Sequence, residues 1–350
     1  MEKLDIKSCT LEEIKELCTE MGQPAFRGGQ IFSWLHQKQV SSFDEMTNLP
    51  AAFREALKEK CHLNYINIKK RLVSGIDGTV KYLYGLADGG SVESVLMEYK
   101  HGNSLCISTQ LGCRMGCRFC ASTLGGLVRH LTPAEMLDQV YTSGRESGRR
   151  VDSIVLMGIG EPLDNFDNVM RFLELLSHPQ GLNMSLRHVS LSTCGLVDQI
   201  DRLAEKKLPL TLSISLHAPN DYIRRKTMPV ANKWDMDTLL AACRRYFATT
   251  GRRISFEYAL ISGVNDSPLF AKELALRLKG MGSHVNLIPV NPVKERSYQQ
   301  SGQNAVRRFL EVLEQGGITA TVRRTLGKDI SAACGQLRRE EAEKEEGYLD

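Results

Sequence analysis

Between residues 105 and 325 the sequence repeats one alternation, a short apolar run followed by a longer helical pattern. The apolar runs occupy residues 105–108, 154–157, 188–191, 210–215, 254–258, 285–288 and 319–322. Strands that alternate with helices pair in parallel, and such sheets are covered on both faces. The alternation predicts an α/β fold, a partial (β/α)6 barrel with its functional site at the carboxyl ends of the strands.

The flanking regions follow other patterns. At the N-terminus helical periodicity follows a capping box formed by Thr10 and Glu13. Strand-like runs separated by Gly- and Asp-rich turns then predict a small antiparallel sheet. We therefore divide the chain into an N-terminal helical accessory domain, a β extension, the barrel core, and a C-terminal loop with a charged tail. These parts are residues 1–60, 61–98, 99–330 and 331–350.

Composition is that of an ordinary globular protein, with 42% hydrophobic and 25% charged residues among 350. No apolar run approaches the roughly 20 residues of a membrane helix, and the first residues lack the apolar core of a signal peptide. We therefore expect a cytoplasmic protein, and a monomer. Ten cysteines in a reducing compartment predict metal ligands or buried thiols rather than a disulfide framework. The net charge of +4 is compatible with an RNA partner.

Three of the cysteines, Cys113, Cys117 and Cys120, lie on one short loop after the first barrel strand. Thiolates at this spacing can converge on a single metal centre. Iron–sulfur clusters and structural zinc sites usually have four ligands, so three cysteines leave one position open. An open iron can bind a reacting molecule. The alternative is a zinc site completed by His101 or His130.

Polar residues follow the ends of four predicted barrel strands. They are Glu161, Ser192, Ser215, His217 and Asn291, and Gly160 and Leu216 are neighbours of these in the sequence and belong to the same candidate site. A single serine or asparagine at a strand end usually caps backbone groups, and a single histidine beside an apolar strand is usually a core residue. Because these groups share one rim of the predicted barrel, together they favour a ligand pocket.

Six separated motifs occur in order along the chain. They are Val92-Glu-Ser-Val95, Leu105-Cys-Ile-Ser-Thr-Gln-Leu-Gly-Cys113, Met157-Gly-Ile-Gly-Glu-Pro-Leu163, Ser213-Ile-Ser-Leu-His-Ala-Pro-Asn-Asp221, Gly263-Val-Asn-Asp266 and Asp329-Ile-Ser-Ala-Ala-Cys-Gly-Gln-Leu337. Together they resemble the RlmN type of the RlmN/Cfr family, radical S-adenosylmethionine (SAM) enzymes that methylate C2 of adenine in RNA. The resemblance extends to about residue 337. Enzymes of the Cfr type methylate C8 instead and carry alanine and arginine where this chain has Pro162 and Pro289.

The resemblance implies the cofactors. Cys113, Cys117 and Cys120 would bind one 4Fe-4S cluster, and its remaining iron would bind SAM. The strand-end residues from Gly160 to Asn291 would bind the rest of the SAM molecule. Electrons would come from a donor such as flavodoxin with flavodoxin reductase.

The resemblance also implies three catalytic residues and two molecules of SAM. Cys334 would accept a methyl group from the first SAM, and a radical derived from the second would remove a hydrogen atom from that methyl group. The resulting carbon radical would add to C2 of adenine. Glu93 would accept the C2 proton, and Cys106 would attack the sulfur of Cys334, which releases the RNA and leaves a disulfide bond.

The implied substrates are adenosine 2503 of 23S rRNA and adenosine 37 of tRNA. The N-terminal helices would add an RNA-docking surface through Arg27, His36, Lys38, Arg54, Lys58 and Lys60, which we expect to be exposed. The same charges also fit an ordinary solvated helix face. Two other functions compete, a Cfr-type C8 methyltransferase and a zinc-stabilised RNA-binding module without enzymatic activity.

Overall fold

Ten of the strands form one mixed sheet in the computed structural model, which describes residues 3–291, 296–330 and 337. In chain order the strands are β1 Leu4–Asp5, β2 Cys61–His62, β3 Asn67–Val73, β4 Val80–Gly85, β5 Ser91–Tyr99, β6 Gly102–Cys106, β7 Gln110–Gly112, β8 Leu127–His130, β9 Ser153–Leu156, β10 Val189–Thr193, β11 Thr211–Ser215, β12 Ile254–Leu260, β13 Ser283–Pro289 and β14 Ala320–Val322. The α-helices are α1 Leu11–Glu20, α2 Phe26–His36, α3 Ala51–Lys60, α4 Pro133–Ser147, α5 Phe166–Ser177, α6 Val197–Glu205, α7 Asp221–Thr227, α8 Met236–Thr250, α9 Pro268–Leu278 and α10 Gln303–Gln315. Within the described ranges, none of these helices has the length and apolar character needed to cross a membrane.

The parallel part of the sheet begins at β6 and continues through β9 to β14. Every neighbouring pair in this part is parallel. A helix follows each of its first six strands, so six strand–helix units precede the short β14. The predicted partial (β/α)6 barrel is confirmed.

The barrel strands alternate polar and apolar residues, and their register collects the polar ones on one face. Ser192 pairs with Ser213, and Ser215 pairs with Glu257. Because side chains alternate across a strand, the intervening leucine, isoleucine and phenylalanine residues face the opposite side and pack into the core. The helices thus cover an apolar face, and the inner face is polar.

Strands β3 to β5 continue the same sheet in antiparallel fashion beyond β6. The predicted antiparallel extension is therefore confirmed, and its first strand, β3, runs from Asn67 to Val73. Its residues alternate between exposed and partly exposed positions. Since β3 is the charged edge strand of the sheet, apolar periodicity does not reveal it.

The N-terminal helices are fixed to the barrel by buried polar contacts. Lys7 Nζ lies 2.8 Å from Asp138 Oδ1 on α4, and both side chains are buried. The Ala134 N–H at the start of α4 donates to Ser8 Oγ over 3.0 Å. Removing one partner of a buried ion pair typically costs about 3–5 kcal/mol. The capping box of Thr10 and Glu13 begins α1 as predicted.

The prediction that His36 is exposed is wrong. His36 is fully buried at the end of α2, where its ring lies 4.4 Å from the ring of Phe32 and its Nδ1 lies 3.0 Å from Tyr141 Oη. It lies one helical turn after Phe32 and therefore on the apolar face of α2. The other five basic residues named for this module are at least partly exposed. They are Arg27, Lys38, Arg54, Lys58 and Lys60.

We expect His36 to make the fold less stable as the pH falls below about 6.5. Burial lowers the pKa of His36 to about 3, whereas the unfolded side chain titrates near its ordinary value of 6.5. Between these values unfolding takes up a proton, which removes about 1.4 kcal/mol of stability per pH unit. In His36→Phe this part of the slope should disappear in urea unfolding measured from about pH 4.5 to 7. His101→Phe, at an exposed position, is the control, and an unchanged slope in His36→Phe would contradict the prediction.

Candidate active site at the strand ends

A short hairpin, which the sequence did not predict, holds the cysteine loop. Strands β7 and β8 pair antiparallel on either side of the loop. The Cys113 N–H donates to the Gly126 carbonyl over 2.8 Å. Gly112 has a φ of +81°, and a Cβ atom at this position would clash with the same Gly126 carbonyl. Glycine at 112 therefore allows the two strands to approach at the point where the loop begins.

The side chains of Cys113, Cys117 and Cys120 line one cavity of about 270 Å³ at the carboxyl ends of the barrel strands. Burial raises the pKa of Cys113 to about 12 and raises the pKa of Cys117 well above its ordinary value. In the described part of the chain no three His, Cys, Asp or Glu side chains are placed to hold a single metal ion. Three soft sulfur donors around one cavity are the donor set that an iron–sulfur cluster takes.

The two histidines considered as a fourth zinc ligand lie elsewhere. His101 stacks on Tyr99, with 5.3 Å between ring centroids, just before β6 begins and so at the amino end of the strand. The Gln110 amide donates to His130 Nδ1 over 3.0 Å. Neither histidine lines the cavity of the three cysteines. This placement counts against the zinc alternative.

Glu161 lies in the same cavity and is bound through both carboxylate oxygens. The Leu163 N–H donates to Oε1 over 3.1 Å, and the Cys194 N–H donates to Oε2 over 2.8 Å. Burial raises the pKa of Glu161. Gly160 has a φ of +114°, and a Cβ atom there would lie 2.7 Å from the Cβ of Gln110. The glycine thus allows the strand-end turn to place Glu161 against Gln110 and inside the cavity.

Ser192, Ser215 and His217 come from the next two strands. Ser192 Oγ lies 3.3 Å from Ser215 Oγ. The Ala259 N–H donates to His217 Nδ1 over 2.8 Å, which leaves the proton of the neutral imidazole on Nε2. Burial lowers the pKa of His217 to about 3, so the ring stays neutral at physiological pH. Its edge contacts Phe119 of the cysteine loop, with 4.9 Å between ring centroids.

The structure brings most of the predicted cofactor-binding residues to one place. The cavity is lined by Gly160, Glu161, Ser192, Ser215, His217 and Asn291 together with the three cysteines. Leu216 is fully buried beside it, and its N–H donates to the Glu257 carbonyl over 3.0 Å.

Sequence reasoning missed two charged lining residues, Glu257 and Arg323. Glu257 is buried on β12 and accepts a hydrogen bond from the Asn286 side-chain amide over 2.8 Å. Burial raises its pKa. A carboxylate within a largely apolar strand is rare, and that signal was present in the sequence. Arg323 follows the short β14, where the apolar pattern is weak.

Glu93 and Cys106 lie on adjacent strands beside the cavity. Val95 pairs with Cys106, and Glu93, two residues earlier, faces the same side of the sheet. Met157 both lines the cavity and packs against the patch formed by Val95, Met97 and Cys106. Glu93 Oε2 lies 3.2 Å from Lys81 Nζ, and both side chains are fully buried.

Cys334 lies outside the described residues. The described residues that precede it attach to the turn between β3 and β4. Ser74 Oγ donates to Asp329 Oδ1 over 2.7 Å, and the Gly327 N–H donates to Asp77 Oδ2 over 2.8 Å. No disulfide joins two of the nine cysteines that the structure describes. The pairing of Cys106 with Cys334 therefore stays a prediction.

Two protein-family models match the chain. The Radical SAM superfamily model matches residues 107–274, which include the cysteine loop and most of the barrel. The ribosomal RNA large subunit methyltransferase N-terminal domain model matches residues 4–63.

Known relatives resemble the chain over nearly its whole length. It is 53% identical over 98% of its residues to the "Probable dual-specificity RNA methyltransferase RlmN" of Lachnoclostridium phytofermentans, and it covers 96% of that protein. It is 54% identical over 97% of its residues to the protein of the same name from Alkaliphilus oremlandii, of which it covers 98%. A crystal structure of a radical SAM methyltransferase from Sphaerobacter thermophilus matches 95% of this chain and 98% of its own, with a TM-score of 0.91 and 42% identity. The chain therefore belongs to the RlmN type of radical SAM RNA methyltransferases.

Proposed function

We propose that this protein methylates C2 of adenosine 2503 in 23S rRNA and of adenosine 37 in tRNA. The observation that carries the proposal is the cavity in which the three loop cysteines meet the polar residues of the strand ends. Membership of the RlmN type supports it. Pro162 lines this cavity and Pro289 ends β13, and both residues favour C2 over C8 as the methylated atom.

Cys113, Cys117 and Cys120 would hold the 4Fe-4S cluster, and the lining residues would hold SAM. When bound, the cluster supplies the electron that cleaves SAM to a 5′-deoxyadenosyl radical. Glu161 offers a buried carboxylate for the ammonium group of SAM, which would offset the cost of burying that charge. The hydroxyl groups of Ser192 and Ser215 and the Asn291 amide supply hydrogen bonds for the other polar groups.

The chemistry of the substrate explains why two further cysteines are needed. C2 of adenine is an electron-poor carbon between two ring nitrogens, so it does not attack the methyl group of SAM as an amine or thiolate would. The Cys334 thiolate can displace that methyl group and carry it. A radical derived from the second SAM would take one hydrogen atom from this methyl group, and the resulting carbon radical would add to C2 of adenine. The adduct would then lose the C2 proton and pass one electron to the cluster. Attack by the Cys106 thiolate on the sulfur of Cys334 would form a disulfide and break the carbon–sulfur bond, and the carbon would take up a proton to complete the methyl group of the released RNA.

Glu93 is the group we propose to accept the C2 proton. It lies on the same face as Cys106, beside the apolar patch of Val95, Met97 and Cys106. An isolated carboxylate at such a position would be costly, and the buried Lys81 ammonium, 3.2 Å away, supplies its counter-charge.

The surface of α2 is the RNA-docking site that we propose for the N-terminal helices. Lys38 Nζ lies 3.3 Å from the ring centroid of Trp34, and Arg27 lies seven residues before Trp34 on the same helical face. Phe26, with 61% of its surface exposed, lies beside Arg27. Cations interleaved with exposed rings bind phosphates and stack on unpaired bases.

The proposed enzyme acts in the cytoplasm as a monomer and receives electrons from a flavodoxin-type donor.

Alanine at Cys113, Cys117 or Cys120 should abolish iron binding, because each thiolate would hold a different iron of the cluster. Anaerobically purified variants should be colourless and should cleave SAM no faster than a blank without protein. Iron analysis and quantification of 5′-deoxyadenosine test this. The control is Cys243→Ala, at a buried thiol on α8 that does not line the cavity. A loop variant that keeps its iron would contradict the cofactor assignment.

The two partner cysteines should fail in different ways. Cys106→Ala removes the resolving thiol, so RNA should accumulate covalently attached to the protein, whereas Cys334→Ala should form no adduct and transfer no methyl. Denaturing gels of enzyme with labelled RNA, followed by mass spectrometry of the peptide that contains residue 334, distinguish these outcomes. Normal turnover by Cys106→Ala would refute the proposed release step.

Replacing Arg27 and Lys38 together by alanine should weaken RNA binding and leave SAM cleavage without RNA unchanged. Each lost phosphate contact should reduce the slope of log affinity against log salt by about 0.7–0.9. Filter binding with a tRNA transcript at several salt concentrations measures the slope. Arg307→Ala, at an exposed position on α10, is the matched control. An unchanged slope in the double variant would place RNA docking elsewhere.

A further inference from the structure

Arg224 is a fully buried cation that forms no salt bridge with any carboxylate among the residues that the structure describes. It lies on α7, and its side chain has no exposed surface. One Nη atom donates to the Cys194 carbonyl over 2.6 Å, and the other lies 3.4 Å from the Trp234 carbonyl. Its Nε–H has no hydrogen-bond partner, and within residues 3–291 and 296–330 no Asp or Glu oxygen is within 4.0 Å of the guanidinium. Burying an uncompensated charge is strongly unfavourable, so this side chain needs an explanation.

Arg224 lies beside the residues that contact the cysteine loop. The Arg118 N–H, inside the loop, donates to the Thr227 carbonyl at the end of α7 over 2.8 Å. Pro229, two residues further on, lies 3.4 Å from the position that a Cβ atom on Gly116 would occupy. Cys194, whose carbonyl Arg224 binds, lines the same cavity as the three loop cysteines. Arg224 therefore lies directly behind the wall of that cavity.

The charge of the cavity depends on whether Cys113, Cys117 and Cys120 hold a metal. Glu161 and Glu257 also line this cavity. Burial lowers the pKa of Arg224, and the charge of Asp221 on the same helix opposes this shift. As ligands of iron the three cysteines are thiolates, and they bring negative charge to the cavity. Arg224 then faces a site of opposite charge.

We infer that Arg224 is the counter-charge of the iron–sulfur site, a positioning residue that stabilises the thiolate ligands and the reduced form of the cluster. This inference rests on the proposed function. Without metal, the Arg224 charge should lower the stability of the fold. With the cluster present, the same charge should raise it. A nearby cation also favours the state with one more electron, so its removal should shift the reduction potential to more negative values.

A structural role gives a different expectation. If Arg224 serves merely to join the Cys194 and Trp234 carbonyls, its loss should destabilise the protein equally with and without the cluster. The reduction potential should then be unaffected. Charge and hydrogen bonding can be separated, because Arg224→Lys keeps the charge and Arg224→Gln keeps a donor without it.

The experiment compares the wild type with Arg224→Lys, Arg224→Gln and Arg224→Met. Each full-length protein is measured anaerobically, once after removal of iron by a chelator and once after reconstitution with iron and sulfide. Melting temperatures of both forms, and the reduction potential from a titration followed by electron paramagnetic resonance without SAM or RNA, are the readouts. Arg225→Gln, at the exposed neighbouring position on α7, is the control.

We expect reconstitution to raise the melting temperature of the wild type, Arg224→Lys and Arg225→Gln by similar amounts and that of the two neutral Arg224 variants by less. Without iron, Arg224→Met should melt at or above the wild-type temperature. The cluster of both neutral variants should have a more negative potential than that of the wild type. If Arg224→Met does not fold, the Lys and Gln variants decide the question.

Equal stabilisation of all variants on reconstitution, together with an unchanged potential, would overturn the role of Arg224 and leave the proposed function intact. A wild-type protein that takes up no cluster at all would instead overturn the proposed function.

Discussion

The parallel register of the barrel strands is the constraint on which the site depends. It aligns Ser192 with Ser213 and Ser215 with Glu257, so the polar member of each alternating pair faces the inside of the barrel. Moving one strand by a single residue would turn its serines into the apolar layer under the helices and its leucines into the cavity. The same register brings the carboxyl ends of the strands to one rim. The register of the parallel strands thus determines both the position and the polarity of the cavity.

Much of this arrangement could be predicted because the signals are local. The capping box of α1 satisfies backbone groups within four residues, and it is present as expected. The strand-end residues could be grouped before any coordinates were known, since all parallel strands end on the same side. Cavity-lining groups such as Glu161 and His217 follow from that rule together with the family motifs.

The errors share a different cause, since they depend on which partner covers a helix face or pairs with a strand. His36 looks like a surface residue until Phe32, one turn earlier, and Tyr141, on another helix, enclose it. Strand β8 pairs with β7 across the whole cysteine loop, and neither strand has an apolar pattern of its own. Glu257 was overlooked because its pairing with Ser215, which places it on the polar face of the sheet, is not visible in its own strand. Side-chain periodicity reports which face is buried and not which partner covers it.

The antiparallel extension has a consequence for the C-terminal chain. The turn between β3 and β4 binds Gly327 through Asp77 and binds Asp329 through Ser74, while Leu326 packs against the patch that contains Cys106. Asp329 and Cys334 are five residues apart, so the chain between them spans at most about 18 Å. For a free chain, bringing together two segments more than two hundred residues apart is entropically costly. The contacts of Leu326, Gly327 and Asp329 hold this part of the chain beside β5 and β6. The extension, which carries Glu93 itself, thereby holds Leu326, Gly327 and Asp329 beside the strands that bear the proposed partners of Cys334.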